Sequence, residues 1–385
     1  MEVNAIGNKF EKIFKSSPLV VQSPGRINLI GEHTDYNEGF VLPAAIDKQM
    51  IIAIAKNGTN TCHLYSYDYE EHFEFSLLDF HPVKGSWANY IMGVVDQFIS
   101  AGYQIHGFDC VFGGNIPIGA GLSSSAALEC GVAYALNSLY NLGVEKSKLI
   151  YFAQMAEHKF AGVACGIMDQ FASLMGKEHH AIRLDCRSLD YSYFPIHLKD
   201  FQIILCDTHV KHSLANSEYN TRRIECESGV AAVKENHNEV KSLRDIDKSM
   251  LEEVKGNISG KVYDRCLFII EENQRLLSGC KLLEAGNIAA FGEKMYGSHQ
   301  GLSVLYEVSC PELDFLVEIT KNLDYVVGAR MMGGGFGGCT INLVEKNKKE
   351  DFKEYLGKAY LEKFNIKASF YEANIVDGTS ISKAE

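Results

Sequence analysis

Residues 25–36 read Gly-Arg-Ile-Asn-Leu-Ile-Gly-Glu-His-Thr-Asp-Tyr. Pro24-Gly25 predicts a turn, the apolar residues that follow fit a short buried strand, and Gly31 frees the backbone after it. Four polar side chains lie in or just after this strand: Arg26, Glu32, His33 and Asp35. Small-molecule sites need convergent polar groups on a rigid support. The stretch therefore predicts either a binding site or an ordinary polar turn, and its pattern alone leaves both open.

Glu32 and His33 could also be read as metal ligands. Adjacent residues of an extended chain point to opposite sides, however, and no second pair of ligand residues lies nearby in the sequence. These residues are therefore better candidates for contacts with a substrate than for a metal site.

Length and composition indicate a globular protein. A chain of 385 residues suggests two domains or three, and 46% hydrophobic with 22% charged residues is ordinary globular usage. The net charge of −12 argues against non-specific binding to nucleic acid or to a membrane surface. A phosphate site in this chain would have to be built locally, from a few Arg or Lys side chains and backbone N–H groups.

The eleven cysteines are scattered singly, without a Cys-x-x-Cys pair or a Cys/His cluster at zinc spacing. Free thiols in a reducing compartment fit this pattern best. The chain shows no apolar run of transmembrane length, and residues 1–15 predict an amphipathic helix instead of a signal peptide. We therefore expect a cytoplasmic protein.

Periodicity predicts a mixed α/β chain without repeats. The predicted strands include residues 40–42, 50–54, 108–112, 181–184, 326–330 and 339–344, with another that begins at Phe201. The predicted helices are residues 124–142, closed by Gly143, and residues 146–160; residues 191–199 are predicted to be irregular. We place the domain boundary before Phe201, which gives domains of residues 1–199 and 200–385.

Residues 114–127 contain a second motif, Gly-Asn-Ile-Pro-Ile-Gly-Ala-Gly-Leu-Ser-Ser-Ser-Ala-Ala. A strand, a loop of small residues and a helix N-terminus together form a ready anion site. A glycine turn with serine N-caps explains the same pattern equally well. The motif is not a P-loop, and Ser124 replaces the third glycine of a dinucleotide fingerprint.

A third motif, Gly-Gly-Gly-Phe-Gly-Gly, occupies residues 333–338. It satisfies Gly-x-Gly-x-x-Gly, but a predicted strand follows it where a dinucleotide site requires a helix. That context rejects the dinucleotide oxidoreductase hypothesis. A tight loop between two strands, in close approach to another loop, fits better.

Candidate chemical groups lie between these motifs. Asp169 opens a predicted helix among apolar residues, which is also the arrangement of an acid that merely interacts with the helix dipole. Tyr219 lies on a predicted amphipathic helix, where we interpret Arg222 and Arg223 as solvated. Trp87, the only tryptophan, could flank a base by stacking but could equally belong to the core.

The motifs together resemble the galactokinases, a branch of the GHMP kinases. Residues 25–37 match the signature of that branch at every defining position, and residues 114–127 resemble the phosphate loop of the family. Residues 157–170 resemble the segment with the proposed catalytic aspartate, and residues 333–338 the third motif, which lies against the phosphate loop. The resemblance implies two mixed α/β domains (α+β type) with the active site in the cleft between them.

The resemblance implies a kinase that uses ATP and Mg²⁺ to phosphorylate the anomeric hydroxyl of galactose, the first committed step of galactose catabolism. Asp169 and Arg26 would be catalytic. The sugar would be bound by Glu32, His33, Asp35, Gly166, Asp169 and Tyr219. ATP would be bound by Gly119, Gly121, Leu122, Ser123, Ser124, Ser125, Trp87 and Tyr90. Ser125 and Glu157 would hold Mg²⁺.

Two properties stay open in this hypothesis. Arg26, if adjacent, would hold the Asp169 carboxylate ionised and make it a weaker base, so Asp169 could mainly orient the sugar. The substrate could also be N-acetylgalactosamine or another sugar, or the protein could be a non-catalytic galactose and ATP sensor. Asp169 and the intact Ser-Ser-Ser-Ala-Ala loop count against the sensor. We expect small-molecule ligands only, no nucleic-acid or membrane partner, and a monomer.

Overall fold

The computed structural model describes residues 3–117, 119–163, 165–210 and 215–382. Its strands are β1 (Leu19–Asn28), β2 (Phe40–Val41), β3 (Pro43–Lys56), β4 (Thr61–Ser66), β5 (Glu71–Ser76), β6 (Phe108–Gly114), β7 (His180–Asp185), β8 (Tyr191–Pro195), β9 (Phe201–Asp207), β10 (Val326–Met331), β11 (Cys339–Glu345), β12 (Ser369–Ala373) and β13 (Ser380–Ile381). Its helices are α1 (Val3–Phe14), α2 (Ala88–Ser100), α3 (Ser124–Tyr140), α4 (Lys146–Ala156), α5 (Met168–Met175), α6 (Ala215–Lys234), α7 (Lys248–Glu253), α8 (Gly260–Glu284), α9 (Ile288–Gln300), α10 (Pro311–Thr320) and α11 (Lys349–Phe364). This mixture of helices and strands confirms the predicted α/β (α+β type) class.

The largest sheet has the strand order β13-β1-β3-β6-β4-β5, and only the pairing of β4 with β6 is parallel. Strand β1 does not turn at Pro24-Gly25, so that prediction was wrong. Pro24 pairs with Gln49 and Arg26 with Ala45, which makes a bulge within a continuous strand. A bulge accommodates a proline that cannot donate to the ladder. It also lets the Arg26 N–H donate to the Leu122 carbonyl at 3.2 Å.

Helix α3 packs closely on this sheet, and its first turn is therefore held near the end of β1. A Cβ atom on Gly131 would lie only 2.3 Å from Ile52 Cδ1 and 2.9 Å from Ser23 Cβ, so a side chain there would have to displace its neighbours. The predicted helix is confirmed, but it ends two residues early at Tyr140, where Asn141 takes a left-handed conformation. Helix α4 continues as a π-helical turn over Glu157–Ala161, a local irregularity that often marks a functional site.

The second half of the chain builds a four-stranded sheet in the order β10-β11-β9-β12, and β9 begins at Phe201 as predicted. A third sheet has the order β2-β7-β8. Residues 191–199 were predicted to be irregular, which is wrong for Tyr191–Pro195, since these residues form β8. This strand lies at the edge of its sheet, where a proline such as Pro195 is tolerated.

The last described strand, β13, returns to the first sheet and pairs with β1. Hydrogen bonds between buried hydroxyl groups hold the segment before β13 in place. Ser23 Oγ lies 2.9 Å from Thr379 Oγ1 and 3.1 Å from Ser173 Oγ. The division into residues 1–199 and 200–385 stays a prediction. Within the described ranges, no helix combines the length and the apolar content needed to cross a bilayer.

Candidate active site

A cavity of about 400 Å³ lies where distant parts of the chain meet. Its wall includes residues between 26 and 35, between 157 and 169, Tyr219 and Asn220, and residues 333–335. The structure thus brings together the first motif, the acidic segment, the tyrosine of α6 and the third glycine motif. A site of this size, with convergent polar groups, suits a small polar molecule.

Arg26 and Asp169 form the central ion pair of the cavity. Arg26 Nε and Nη2 donate to the two carboxylate oxygens of Asp169 at 2.8 and 2.9 Å. Asp169 also accepts from the Ser123 hydroxyl, and Arg26 Nη1 donates to the Gly121 carbonyl at 2.5 Å. Burial opposes the charge of Arg26, but Asp169 and Glu32 outweigh it and hold the Arg26 pKa above its ordinary value. The predicted pairing of Arg26 with Asp169 is confirmed.

The second motif places the start of α3 beside this ion pair. Gly119, Gly121 and Ser123 all have positive φ values, of 79°, 73° and 59°, which shape the loop before the helix. Among the described residues, no side chain caps the first turn of α3, so a serine N-cap does not explain the motif. The helix N-terminus keeps free N–H groups and a positive dipole end, which suit an anion.

The third motif lies against the second. The Gly121 carbonyl oxygen lies 4.0 Å from the position that a Cβ atom of Gly333 would take. Gly335 approaches another segment still more closely, since its Cβ would lie 2.0 Å from the Val308 carbonyl oxygen. The predicted close approach of a tight loop between two strands is therefore confirmed.

Ser125 and Glu157, the pair predicted to hold a magnesium ion, lie within hydrogen-bond distance of each other. Ser125 Oγ lies 3.1 Å from Glu157 Oε1, while Gln170 Nε2 donates to the other oxygen at 2.9 Å. Burial, with a smaller effect of Asp169, raises the pKa of Glu157. A bound cation would stabilise the charged carboxylate that burial disfavours. Mg²⁺ prefers oxygen ligands, of which only one or two come from protein. Within the described ranges, no cluster of three or more His, Cys, Asp or Glu residues is arranged to hold a metal.

Glu32 joins the first motif to the third. Its Oε1 atom accepts from Arg330 Nη2 at 2.7 Å and from the Gly333 N–H at 2.8 Å. Both side chains of this ion pair are buried. One carboxylate oxygen of Glu32 therefore links the first motif to the third, a role that the sequence did not indicate.

His33 and Asp35 lie on the cavity wall, and burial shifts the pKa of both side chains. Burial lowers the pKa of His33 to about 3, so its ring is neutral at physiological pH. Burial, assisted by the charge of Asp169, raises the pKa of Asp35 to about 6. A Cβ on Gly166 would lie 1.8 Å from Asp35 Oδ2, so any other residue there would force the Asp35 side chain to move. The Tyr219 ring centroid lies 5.3 Å from that of His33.

Trp87 and Tyr90 do not line this cavity. Trp87 Nε1 donates to Glu71 Oε2 at 2.8 Å, and its ring packs edge-on against Phe112 at 5.1 Å. Tyr90 is half-buried, and burial followed by the charge of Glu157 raises its pKa. The assignment of both residues to an adenine site stays a prediction.

Arg222 is buried, so its interpretation as a solvated residue was wrong. It is 6% exposed and donates to the carbonyls of Tyr306 and Glu307, both at 2.7 Å. Arg223 is exposed and pairs with Glu227 one helical turn away, as the amphipathic pattern indicates. Arg330 was missed altogether, and its only signal in the sequence is its place just before the third motif.

Comparison with known proteins gives a consistent result. Residues 8–56 match the family described as the galactokinase galactose-binding signature, residues 89–177 the GHMP kinases N terminal domain, and residues 281–363 the GHMP kinases C terminal family. Among curated relatives, a galactokinase of Thermosipho africanus is 42% identical over 94% of this chain and 99% of its own. One from Fusobacterium nucleatum is 43% identical over 96% and 97%.

Solved structures extend the comparison to three dimensions. The structure of Lactococcus lactis galactokinase complexed with galactose superposes with a TM-score of 0.94, at 36% identity, over 99% of this chain and 100% of that one. A Methanococcus jannaschii mevalonate kinase gives a TM-score of 0.67 at 18% identity, over 94% and 100%. The second likeness concerns the fold alone.

Proposed function

The chain belongs to the galactokinases, a branch of the GHMP kinases, and from this membership we propose that it phosphorylates the anomeric hydroxyl of galactose with ATP. The single observation that carries the proposal is the network of Arg26, Asp169 and Ser123 beside the start of α3. This network offers a cation, a proton acceptor and an anion-binding helix end at one place.

In the reaction, the anomeric oxygen attacks the γ-phosphorus of ATP, the bond to the β-phosphate oxygen breaks, and ADP leaves. Asp169 orients the hydroxyl and receives its proton. Arg26 and the N–H groups at the start of α3 stabilise the charge of the transferring group. Ser125 and Glu157 would hold Mg²⁺, which supplies further positive charge to the phosphate oxygens when bound.

The sugar would be recognised by side chains of the first motif and α6. Glu32, Asp35 and Asp169 can accept hydrogen bonds from sugar hydroxyls, and Tyr219 can pack on the ring or bond to it. Gly166 leaves room beside Asp35. A site that pairs each hydroxyl discriminates against epimers, because a misplaced hydroxyl leaves buried groups unpaired.

The remaining assignments are proposals of the same kind. Residues Gly119, Gly121, Leu122, Ser123, Ser124 and Ser125 would cradle the phosphates of ATP, and Trp87 with Tyr90 would border the adenine. Eleven free cysteines support a reducing, cytoplasmic location. A monomer with two domains that meet at the cavity is the simplest arrangement that holds these residues together.

Incubation with Mg-ATP and a panel of sugars tests the proposal. The panel should contain galactose, glucose, N-acetylgalactosamine and talose, with ADP release as the rate measurement and ³¹P NMR to identify an anomeric phosphate. We expect the highest kcat/KM with galactose. Preferred turnover of N-acetylgalactosamine would identify a different sugar 1-kinase, and galactose binding without ADP release would identify a sensor.

A further inference from the structure

Three tyrosine rings surround His33 at the wall of the cavity. The ring centroids of Tyr306, Tyr219 and Tyr36 lie 5.0, 5.3 and 5.9 Å from that of His33. The His33 backbone has a φ of 63°, and Asn37 Nδ2 donates to its carbonyl at 2.9 Å. His33 is only 4% exposed, so its ring is held in one place by packing.

A chain of polar atoms leads from this ring into the second half of the protein. His33 Nδ1 lies 2.9 Å from Tyr36 Oη, and Tyr36 Oη lies 2.8 Å from Tyr306 Oη. Tyr306 is fully buried, and its hydroxyl lies 3.3 Å from Cys226 Sγ. Each of the two phenol oxygens lies between two members of this relay, so the direction of one hydrogen bond fixes the next.

The number of protons in the relay is fixed at physiological pH. Burial lowers the pKa of His33 and raises those of Tyr36 and Tyr306 well above their ordinary value. Each phenol therefore carries one O–H, and the imidazole carries one N–H. The hydrogen bonds can run from Cys226 towards His33, which protonates Nε2, or in the opposite direction, which protonates Nδ1.

The chemistry of the relay favours the first direction. An imidazole nitrogen is a strong acceptor, whereas a thiol sulfur is a weak one, so the phenol protons are better directed to His33. His33 Nε2 is buried and makes no hydrogen bond of its own within the described ranges. In this order Nε2 carries the proton and has no acceptor among the described residues, although His33 belongs to the cavity wall.

We propose that Tyr306 is a positioning residue which, acting through Tyr36, fixes His33 as the Nε2–H tautomer, so that His33 donates a hydrogen bond to a sugar oxygen. The identity of the ligand rests on the proposed function, whereas the tautomer is a property of the free protein. Without the Tyr306 hydroxyl, Tyr36 can either donate to His33 or accept from it. His33 then loses its single donor state, and the sugar is bound less tightly.

Nitrogen-15 NMR of the histidine rings tests the tautomer directly. The His33 signals are assigned by their absence from H33N, and the free wild-type protein should show a protonated Nε2 and an unprotonated Nδ1. Tyr306→Phe should shift both nitrogen signals towards averaged values, since both tautomers become accessible. A wild-type His33 protonated on Nδ1 would overturn the proposal, whether or not the protein proves to be a galactokinase.

Kinetics test the consequence for the substrate. Tyr306→Phe should raise the KM for galactose about 3- to 10-fold, the effect of one weakened hydrogen bond, with kcat and the KM for ATP nearly unchanged. Tyr360→Phe is the matched control, because Tyr360 is also fully buried and donates to the Thr208 carbonyl at 2.9 Å. An equal rise in both variants, or an unchanged galactose KM in Tyr306→Phe, would contradict a positioning role for Tyr306.

Discussion

At the residue scale, Asp169 would have two tasks in the proposed reaction: to orient the sugar hydroxyl and to accept its proton. Arg26 donates to both carboxylate oxygens of Asp169, which fixes the orientation of the group. Most of the charge in a loose phosphoryl-transfer transition state lies on the transferring group, so the proton need not move early. Asp169 can therefore position the sugar hydroxyl first and accept its proton late.

Replacement of Asp169 by alanine separates these tasks from nucleotide binding. We expect Asp169→Ala to lower kcat by at least about 100-fold, because both orientation and proton acceptance are lost. The affinity for ATP should change by less than about threefold, since the phosphate loop keeps its backbone conformation. Coupled ADP release and calorimetric titration with ATP measure the two effects. A variant that keeps substantial kinase activity would show that Asp169 is not catalytic.

Asp35 should make stability depend on pH. Its pKa rises from 3.8 in the unfolded chain to about 6 in the folded protein, because burial disfavours the charge. Folding therefore takes up a proton between these values, and the free energy of unfolding falls as pH rises from about 4 to about 6. Asp35→Asn should stabilise the protein by an amount on the order of 2 kcal/mol at pH 7.5 and by almost nothing below pH 4.

Urea unfolding at several pH values measures this difference, and the same variant should bind galactose more weakly. Asp79→Asn is the control, because the Asp79 side chain is 81% exposed and its replacement should be nearly neutral. A stabilisation that is equal at pH 4 and pH 7.5 would show that Asp35 does not carry the proton.

At the element scale, the helices, strands and loops that could be predicted are those whose conformation depends on residues close together in the sequence. Gly119 and Gly121 have positive φ values that favour glycine, and the start of α3 follows them directly. The burial of Arg222 could not be predicted in this way, because its acceptors lie 84 and 85 residues further along the chain. Strand β8 was missed for a different reason, since its pattern is weak and pairing with the neighbouring β7 decides its conformation.

The loop between β10 and β11 offers a matched pair of glycines. Gly335 and Gly338 both have positive φ, of 85° and 80°, but a Cβ on Gly335 meets the Val308 carbonyl while one on Gly338 meets open space. Gly338→Ala should cost about 1 kcal/mol of stability, from backbone strain alone. Gly335→Ala should cost about 2 kcal/mol more, because the Val308 backbone must also move. Chemical unfolding of both variants tests this, and similar losses would contradict the steric account.

At the scale of the whole molecule, residues in the second half of the chain hold the first motif, which we propose binds the sugar, in place. Two side chains of helix α8 accept hydrogen bonds from the backbone of this motif and of β2. The Gly31 N–H donates to Glu272 Oε1 at 3.0 Å, and the Phe40 N–H donates to Asn273 Oδ1 at 2.8 Å. Arg330 donates to the Leu29 carbonyl at 3.1 Å in addition to its ion pair. The first motif could be recognised from the sequence, but these supports could not, because they lie more than 200 residues away.

The ion pair between Glu32 and Arg330 is the strongest of these supports. Arg330→Met should destabilise the protein by roughly 3–5 kcal/mol, because it leaves a buried carboxylate without its cation. Adding Glu32→Gln should recover part of the loss, since the Gly333 N–H can still donate to a neutral amide. Unfolding of wild type, both single variants and the double variant measures the coupling energy, which should exceed about 1 kcal/mol.

Arg223→Met controls for the loss of an arginine as such. Arg223 is 44% exposed and paired only on the helix surface, so its removal should cost less than about 0.5 kcal/mol. Additive effects of Glu32→Gln and Arg330→Met on the free energy of unfolding would show that the ion pair contributes no coupling, and that packing alone holds these two segments together. A strong coupling would instead mean that the position of the first motif depends on β10, because the Glu32 oxygen that binds Arg330 also binds the third motif.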